Sequence, residues 1–447
     1  MSRLGSRGNR FRTSGFLSGL FFALALLEVC ACSPRSLAAS PEHPSVVFIA
    51  VDTLRADRLG CYGGSRGLSP RIDEIARQGA AFASAFAHAP WTLPAFASIL
   101  TSKTPPAHGA GGKLGDFRGL APGIPTLPEQ FRAAGYATAA IVNVDFLARP
   151  FGVTRGFEHL DARAFEDNEN VRGAGPTTEA ALSWIRDHRR GAFFLMVHYF
   201  DPHAEYRPPQ PFRRRFASPP DQEDETFRFG TRRQVVEHRL HGTPLPRDDV
   251  ERAEKLYDGE VACVDQEVGR LIDGLSGLGL DESTLVVLTA DHGEEFLDHG
   301  DWEHGHTLYD ELLRVPLLLR QKGRISPRRV DVAVGHIDLG PTLLAWCGLG
   351  SCSSFQGRDL APALSGGSLS EAALLAYGNF WGPPLASLRE GEYQLILAPG
   401  KRRELYRWTS DPKEMQDLAV EKAGLADELQ AKLDRTQAAA VAGGAGV

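Results

Sequence analysis

The chain has 447 residues and a mass of 48.6 kDa, with 43% hydrophobic and 23% charged residues. That is an ordinary globular composition, which excludes wholesale disorder, a collagen-like repeat and a polytopic membrane protein. Formal net charge is −7, and the chain beyond residue 31 is more acidic still, because Arg3, Arg7, Arg10 and Arg12 lie ahead of it. A dense cationic face for nucleic acid is therefore not expected.

The first elements in chain order are an address. Four arginines precede Phe16 to Leu27, FLSGLFFALALL, an apolar run of about 12 residues where a spanning helix needs roughly 20. A basic region and a short apolar core read as a secretory signal over residues 1–31. Val29-Cys30-Ala31-Cys32 follows and resembles a bacterial lipobox, with Cys32 as the lipidated residue. The alternative is ordinary signal cleavage after Ala38. Residues 32–43 read as a linker. The expected location is the bacterial cell envelope, either lipid-anchored to the membrane or periplasmic.

From residue 44 strands and helices alternate. Ser45–Val51, Ala137–Val142, 192–200, Thr284–Ala290 and 315–319 are apolar runs without polar alternation, as expected of strands buried on both faces of a parallel sheet. Ser69-Pro70 opens a helix whose Ile72, Ile75 and Ala76 share a face and which Gly79 ends, with Ser69 as N-cap. A stripe from Val261 to Ile272 places a second helix over 257–275. Residues 207–250, rich in proline and arginine, read as a surface insertion within a domain spanning 44–364. Residues 365–435 read as a small C-terminal α+β subdomain, with strands at 393–397 and 404–408 and a closing helix over 423–435. Residues 436–447 read as a flexible tail. Cys347 and Cys352 are spaced to close a small loop disulfide.

Three of these strands end in acids or histidines: Asp52, then Asp201 with His203, then Asp291 with His292. In open α/β sheets the ligand crevice lies beyond the carboxyl ends of the strands, so the three segments together suggest a metal site. Thr92 falls at or near the N-cap of a helix that Pro94 confines to its first turn there. A hydroxyl so placed either caps the helix or, beside a divalent cation, serves as a nucleophile. Four of the chain's 14 histidines (His292, His299, His304 and His306) lie between Asp291 and Tyr309. That density points to a leaving-group acid or an oxyanion partner.

The string VDTLRADRLGCYG from Val51 resembles the first strand and loop of the sulfatase family within the alkaline phosphatase superfamily. Further pieces match in order: SPRIDEIARQG, Thr92 to Lys103, HYFDPHAEYRPP, YDGEVACVDQEVG, ADHGEEF with HGHTLYDELLRVP, Ile337 to Thr342, and LYRWTSDPKEMQDL. The resemblance runs from about residue 44 to 435. It implies an alkaline-phosphatase-like three-layer αβα sandwich with a mostly parallel sheet. It also implies one divalent metal held by Asp52, Asp291, His292 and Thr92. His203 and His304 would contact the transferring group or protonate the leaving oxygen. Asn143 would touch substrate at the edge of the site, Arg55 would orient the metal loop from behind, and Asp338 is read as structural. Mn²⁺ or Zn²⁺ suits this donor set, with Ca²⁺ or Mg²⁺ as alternatives.

The pattern departs from the family at the nucleophile. Where sulfatases place a Cys or Ser that becomes formylglycine, followed by x-Pro/Ala-x-Arg, this chain has Thr92 and Phe96. In this it resembles a branch of sulfatase-like proteins with a threonine nucleophile, similar to the phosphoglycerol transferases of lipoteichoic acid synthesis. Three readings follow. The first is a metal-dependent hydrolase or transferase of phosphoesters, chiefly diesters, acting on a small-molecule, lipid or glycan ester. The second is a sulfatase without formylglycine. The third is a non-catalytic, lipid-anchored binding protein on a sulfatase scaffold.

Overall fold

The structure is a computed structural model that describes residues 37–162, 171–217, 227, 229–378, 380–398, 400 and 403–444. The signal segment and Cys32 lie outside the described residues. No helix among the described residues is long and apolar enough to cross a membrane.

The strands of the central sheet are β1 (Ser45–Val51), β2 (Ala80–Phe82), β3 (Ala137–Val142), β4 (His159–Ala162), β5 (Phe193–Tyr199), β6 (Thr284–Ala290), β7 (Leu317–Arg320) and β8 (Arg328–Val330). They lie in the order β8-β2-β7-β6-β1-β5-β3-β4. The inner run β6-β1-β5-β3-β4 is parallel throughout, and β7 runs antiparallel to both its neighbours. All seven residues of β1, β5 and β6 are buried, which is why these segments carry no polar alternation. The apolar run at 315–319 is divided by Pro316. This residue has no N–H for the ladder, and its carbonyl accepts the Thr289 hydroxyl at 2.8 Å.

Helices pack in two groups. α6 (Arg247–Gly277) packs against both α1 (Pro70–Gln78) and α4 (Ala174–His188). α2 (Thr92–Thr101), α3 (Leu127–Ala133) and α7 (Leu339–Trp346) form the other group. The architecture is thus a mixed α/β fold on a large, mostly parallel sheet. α2 is buried on every side, as its TLPAFASILT sequence demands of a helix with no polar face. Behind it, β9 (Leu374–Gly378), β10 (Leu385–Glu390), β11 (Tyr393–Leu397) and β12 (Arg403–Tyr406) form an antiparallel sheet in that order. α8 (Ala423–Gly444) covers it through Ala426, Leu429 and Leu433 packed on Leu388, Leu395 and Leu405.

Several expectations need correction. The segment from 436 is not wholly a frayed tail: α8 continues to Gly444, because its alanines are the strongest helix formers. The 207–250 segment is not a plain excursion. It holds a short helix, Phe212–Phe216, then α5 (Arg232–His241), capped by Thr231 and Gln234, and then the first turn of α6. Residues 218–226 and 228 lie outside the described residues. Ser69 stands at the N-cap of α1 but makes no capping bond, because its hydroxyl accepts Gly60 N and donates to Asp73. Cys347 and Cys352 are separate thiols. Cys347 turns into the core, with the carbonyl of Pro44 at 3.9 Å, while Cys352 faces the Ser354 hydroxyl.

Candidate active site

Register builds the site. Val51 pairs with Tyr199 on one side and Ala290 on the other, so the chain leaves three adjacent strands at one level. Asp52 and Asp291 are the next residues, both fully buried. The turn after Asp52 is held open by contacts rather than by glycine. Thr53 sits at φ 54°, and its N–H donates to Asp291 Oδ1 at 3.3 Å. The Tyr257 hydroxyl, from α6, donates to Thr53 O at 2.8 Å and accepts Arg55 N at 3.0 Å. Gly293 answers a close approach, since a Cβ there would stand 1.9 Å from Glu311 O.

Asp52, Asp291 and His292 bring one ligand atom each within 4.8 Å of one another. His292 Nδ1–H donates to Gly293 O at 2.9 Å, so the bare Nε2 faces inward. That nitrogen is 3.4 Å from Asp291 Oδ2, 3.8 Å from Asp52 Oδ1 and 3.4 Å from Thr92 Oγ1. Thr92 is the first residue of α2, with Trp91 as the N-cap. Both oxygens of Asp52 and Oδ2 of Asp291 lack hydrogen-bond donors. Two carboxylates buried side by side with three oxygens lacking donors are costly, and a divalent cation among them removes that cost, so these residues fit a metal.

The electrostatics agree. Burial and then the charge of Asp52 push Asp291 up to about 6. Burial would raise Asp52 too, but the imidazoles of His198, His203 and His292 around it outweigh burial and hold the carboxyl well down. His198 is one of the residues that sequence reasoning missed. Its Nε2 lies 3.2 Å from Asp52 Oδ2, and its ring meets the edge of fully buried Phe96 at 5.5 Å. A lone histidine inside the apolar run of β5 was the available signal.

His203 and His304 stand together, ring centroids 5.1 Å apart, and His304 is 4.5 Å from His292. His203 Nδ1 donates to Ala204 O at 2.6 Å. His304 Nδ1 donates to Glu294 Oε1 at 2.8 Å, and Tyr206 holds Glu294 Oε2 at 3.0 Å. Glu294 was also missed, although it follows directly in the ADHGEEF string. Burial lifts its carboxyl to about 7. Burial, with His292 and His203 alongside, keeps His304 well below the ordinary histidine value.

Arg55 is buried in the turn that follows Asp52. It donates to Asp57, to both oxygens of Asp298 and to Glu294 O at 3.0 Å, tying the loop after Asp52 to the loop after Asp291. Asn143 is a correction. Its amide nitrogen donates to His198 O and Thr177 Oγ1, and its oxygen accepts Arg172 Nε at 2.8 Å, so the side chain is spent on the scaffold rather than on substrate. Asp201 is likewise drawn away, to Ala174 N at the start of α4. Asp338 binds Gly335 N and Arg358, a structural role. The remaining loop histidines pair with acids: His299 with Glu311 at 2.7 Å, and His306 with Glu295 at 2.8 Å.

The sulfatase profile matches residues 44–349, more than half of the chain. The chain belongs to the sulfatase family. The C-terminal profile of N-sulphoglucosamine sulphohydrolase matches residues 298–439. An N-acetylglucosamine-6-O-sulfatase of Bacteroides thetaiotaomicron is 24% identical, over 94% of this chain and 90% of that protein. The human iduronate 2-sulfatase is 26% identical, over 69% of this chain and 65% of that protein. In structure, the phosphonate monoester hydrolase of Agrobacterium radiobacter superposes with a TM-score of 0.74 at 21% identity, covering 89% of this chain and 96% of that one. The protein is thus a sulfatase-family hydrolase acting on ester bonds.

Proposed function

We propose that the protein is an exported, metal-dependent hydrolase or transferase of phosphoesters, with diesters as the favoured class and Thr92 as nucleophile. The observation that carries this reading is Thr92 Oγ1, 3.4 Å from His292 Nε2, the imidazole that clusters with Asp52 and Asp291. Asp52, Asp291, His292 and Thr92 would hold one divalent ion, and carboxylate, imidazole and hydroxyl donors suit Mn²⁺ or Zn²⁺ better than Ca²⁺ or Mg²⁺. When bound, that ion lowers the hydroxyl's pKa and polarises the phosphoryl oxygen.

The protein's own groups do the rest. The Thr92 hydroxyl gives its proton to His203 or His304, its oxygen forms a bond to phosphorus while the bond to the leaving oxygen breaks, and the same imidazole passes that proton to the leaving oxygen. Water then attacks the phosphorus of phospho-Thr92 and releases the product, or an acceptor alcohol does so and the outcome is transfer. Glu294 keeps His304 in place through Nδ1. Threonine cannot become formylglycine, and with Phe96 in the arginine position the usual sulfatase nucleophile is absent.

Trapping the enzyme with a slow phosphodiester and mapping it by mass spectrometry should place phosphate on Thr92, and a label on any other residue overturns the assignment. The sulfate-ester reading is favoured by relatives named as sulfatases. Sulfate-only turnover that disappears in Thr92→Ala would put it first. Export rests on the signal grammar of residues 1–31, with Cys32 as the membrane anchor. Labelled fatty acid should enter the native chain and not Cys32→Ala.

A further inference from the structure

An aromatic cluster reaches the chain at both reactive segments. Trp91 precedes Thr92, and its ring lies 4.8 Å from Phe380, 5.4 Å from Phe146 and 5.9 Å from Phe117. Phe117 and Phe380 are nearly parallel, 10° apart in plane. At the far end Phe380 lies against Gly305, the residue after His304, where a Cβ would stand 3.0 Å from the Phe380 side chain. Trp381 N donates to Gly305 O at 3.1 Å, and its indole N–H donates to Glu303 at 3.2 Å. One wall of rings therefore runs from the residue before the nucleophile to the residue after His304.

The rings come from separate segments: the N-cap of α2, the short hairpin strand Asp116–Arg118, the turn Asp145–Leu147 after β3, and the chain after β9. Phe117, Phe146 and Phe380 are only half-buried, unlike the core beneath them. Half-exposed rings beside reacting groups gain by covering apolar surface of a ligand. The wall offers little to a sugar, since the Trp91 indole N–H is sealed from solvent and that of Trp381 is taken by Glu303. It is also not a cage for a quaternary ammonium, because rings 4.8–5.9 Å apart touch one another and leave no room for a cation between them.

We infer that this wall is the leaving-group subsite and that it selects esters of flat, apolar alcohols, aromatic ones above all, over esters of polyhydroxylated sugars. The inference rests on Thr92 and His304 being the reacting pair. It is tested with benzyl, glucose-6-yl and choline phosphate esters, with the sulfate esters run in parallel, on the metal-loaded protein. All three leave as primary alcohols, so their intrinsic reactivity is closely matched. The benzyl ester should lead in kcat/KM by roughly tenfold. Phe117→Leu and Phe380→Leu should raise KM for the benzyl ester severalfold more than for the glucose ester, so that the ratio between the two narrows.

Equal or faster glucose-ester or choline-ester turnover overturns the inference, and so does a variant that slows all three alike. Binding of benzyl phosphate, glucose 6-phosphate and phosphocholine to Thr92→Ala, read by calorimetry, separates the two readings. If turnover is absent but benzyl phosphate binds tightest, the wall stands and the Thr92 reading falls. If all three bind alike, the wall is wrong whatever the enzyme turns over.

Discussion

The two halves of the site are built in different ways. The strand-end half, Asp52, Asp291 and His292 with Thr92 beside them, is positioned by the register of fully buried parallel strands and by the first turn of a fully buried helix. In the loop half, His203 rests on the Ala204 carbonyl and the Phe200 ring, and His304 is positioned by a charged side chain. Glu294 holds His304. α5, from the inserted segment, reaches the same loop: Arg239 pairs with Asp301 at 2.6 Å, donates to Trp302 O and meets His306 at 2.8 Å, while His238 donates to Asp301 at 2.8 Å. Backbone ladders make a rigid shelf for metal ligands. Side-chain networks make a clasp, which single substitutions can loosen without disturbing the shelf.

The largest expected effect breaks the shelf's chemistry and spares its geometry. Asp291→Asn keeps an oxygen for Thr53 N and His292 N but removes a ligand charge. Activity should fall on the order of a thousandfold, with metal content measured by elemental analysis falling alongside. In chelator the same variant should melt higher than the parent at pH 7. Burial and Asp52 raise the folded pKa of Asp291 from 3.8 to about 6, so the penalty for its ionisation builds as the pH rises from 3.8 and is complete above 6. A lower melting temperature in chelator would show that the buried carboxylates are compensated by something other than a cation.

Arg239→Gln tests the clasp. It should lower kcat by on the order of tenfold to a hundredfold, by letting the His304 loop drift, while metal content stays at the parent level. Arg239→Lys should recover only part of the loss, because a single ammonium cannot reproduce the fork that binds Asp301 and Trp302 together. Loss of metal in Arg239→Gln would mean that the two halves are not separable.

The smallest effect is one of stability alone. Although burial opposes it, the bond to Glu311 lifts His299 to about 9, above its unfolded value of 6.5. The stabilisation is therefore complete below pH 6.5 and disappears as the pH rises through 9. His299→Gln should lower the melting temperature at pH 6 and converge on the parent above pH 9, as read by thermal melts across that range.

The same contrast explains what could be read in advance. β1, β3 and β6 follow from their apolar runs, because a strand buried on both faces needs no partner to reveal it. Asp52, Asp291 and His292 follow because they step off those strands, and Thr92 because Pro94 marks a helix start. Asn143 misled because it too follows a strand end. Only the packing of Arg172, Thr177 and His198 around its amide shows that nothing remains for a ligand.

The residue pattern along the chain thus determined the parallel sheet, the family and the place of Asp52, Asp291 and His292 at the strand ends, since burial on both faces and turn chemistry are local demands. Tertiary structure alone decided the rest. It made His198 a partner of Asp52, drew Asp201 away to α4, and brought α5 of the insertion onto the His304 loop. Each of these joins residues more than 25 positions apart. Spacing carries no record of such contacts, because they arise only when separate elements compete for the same buried donors and charges.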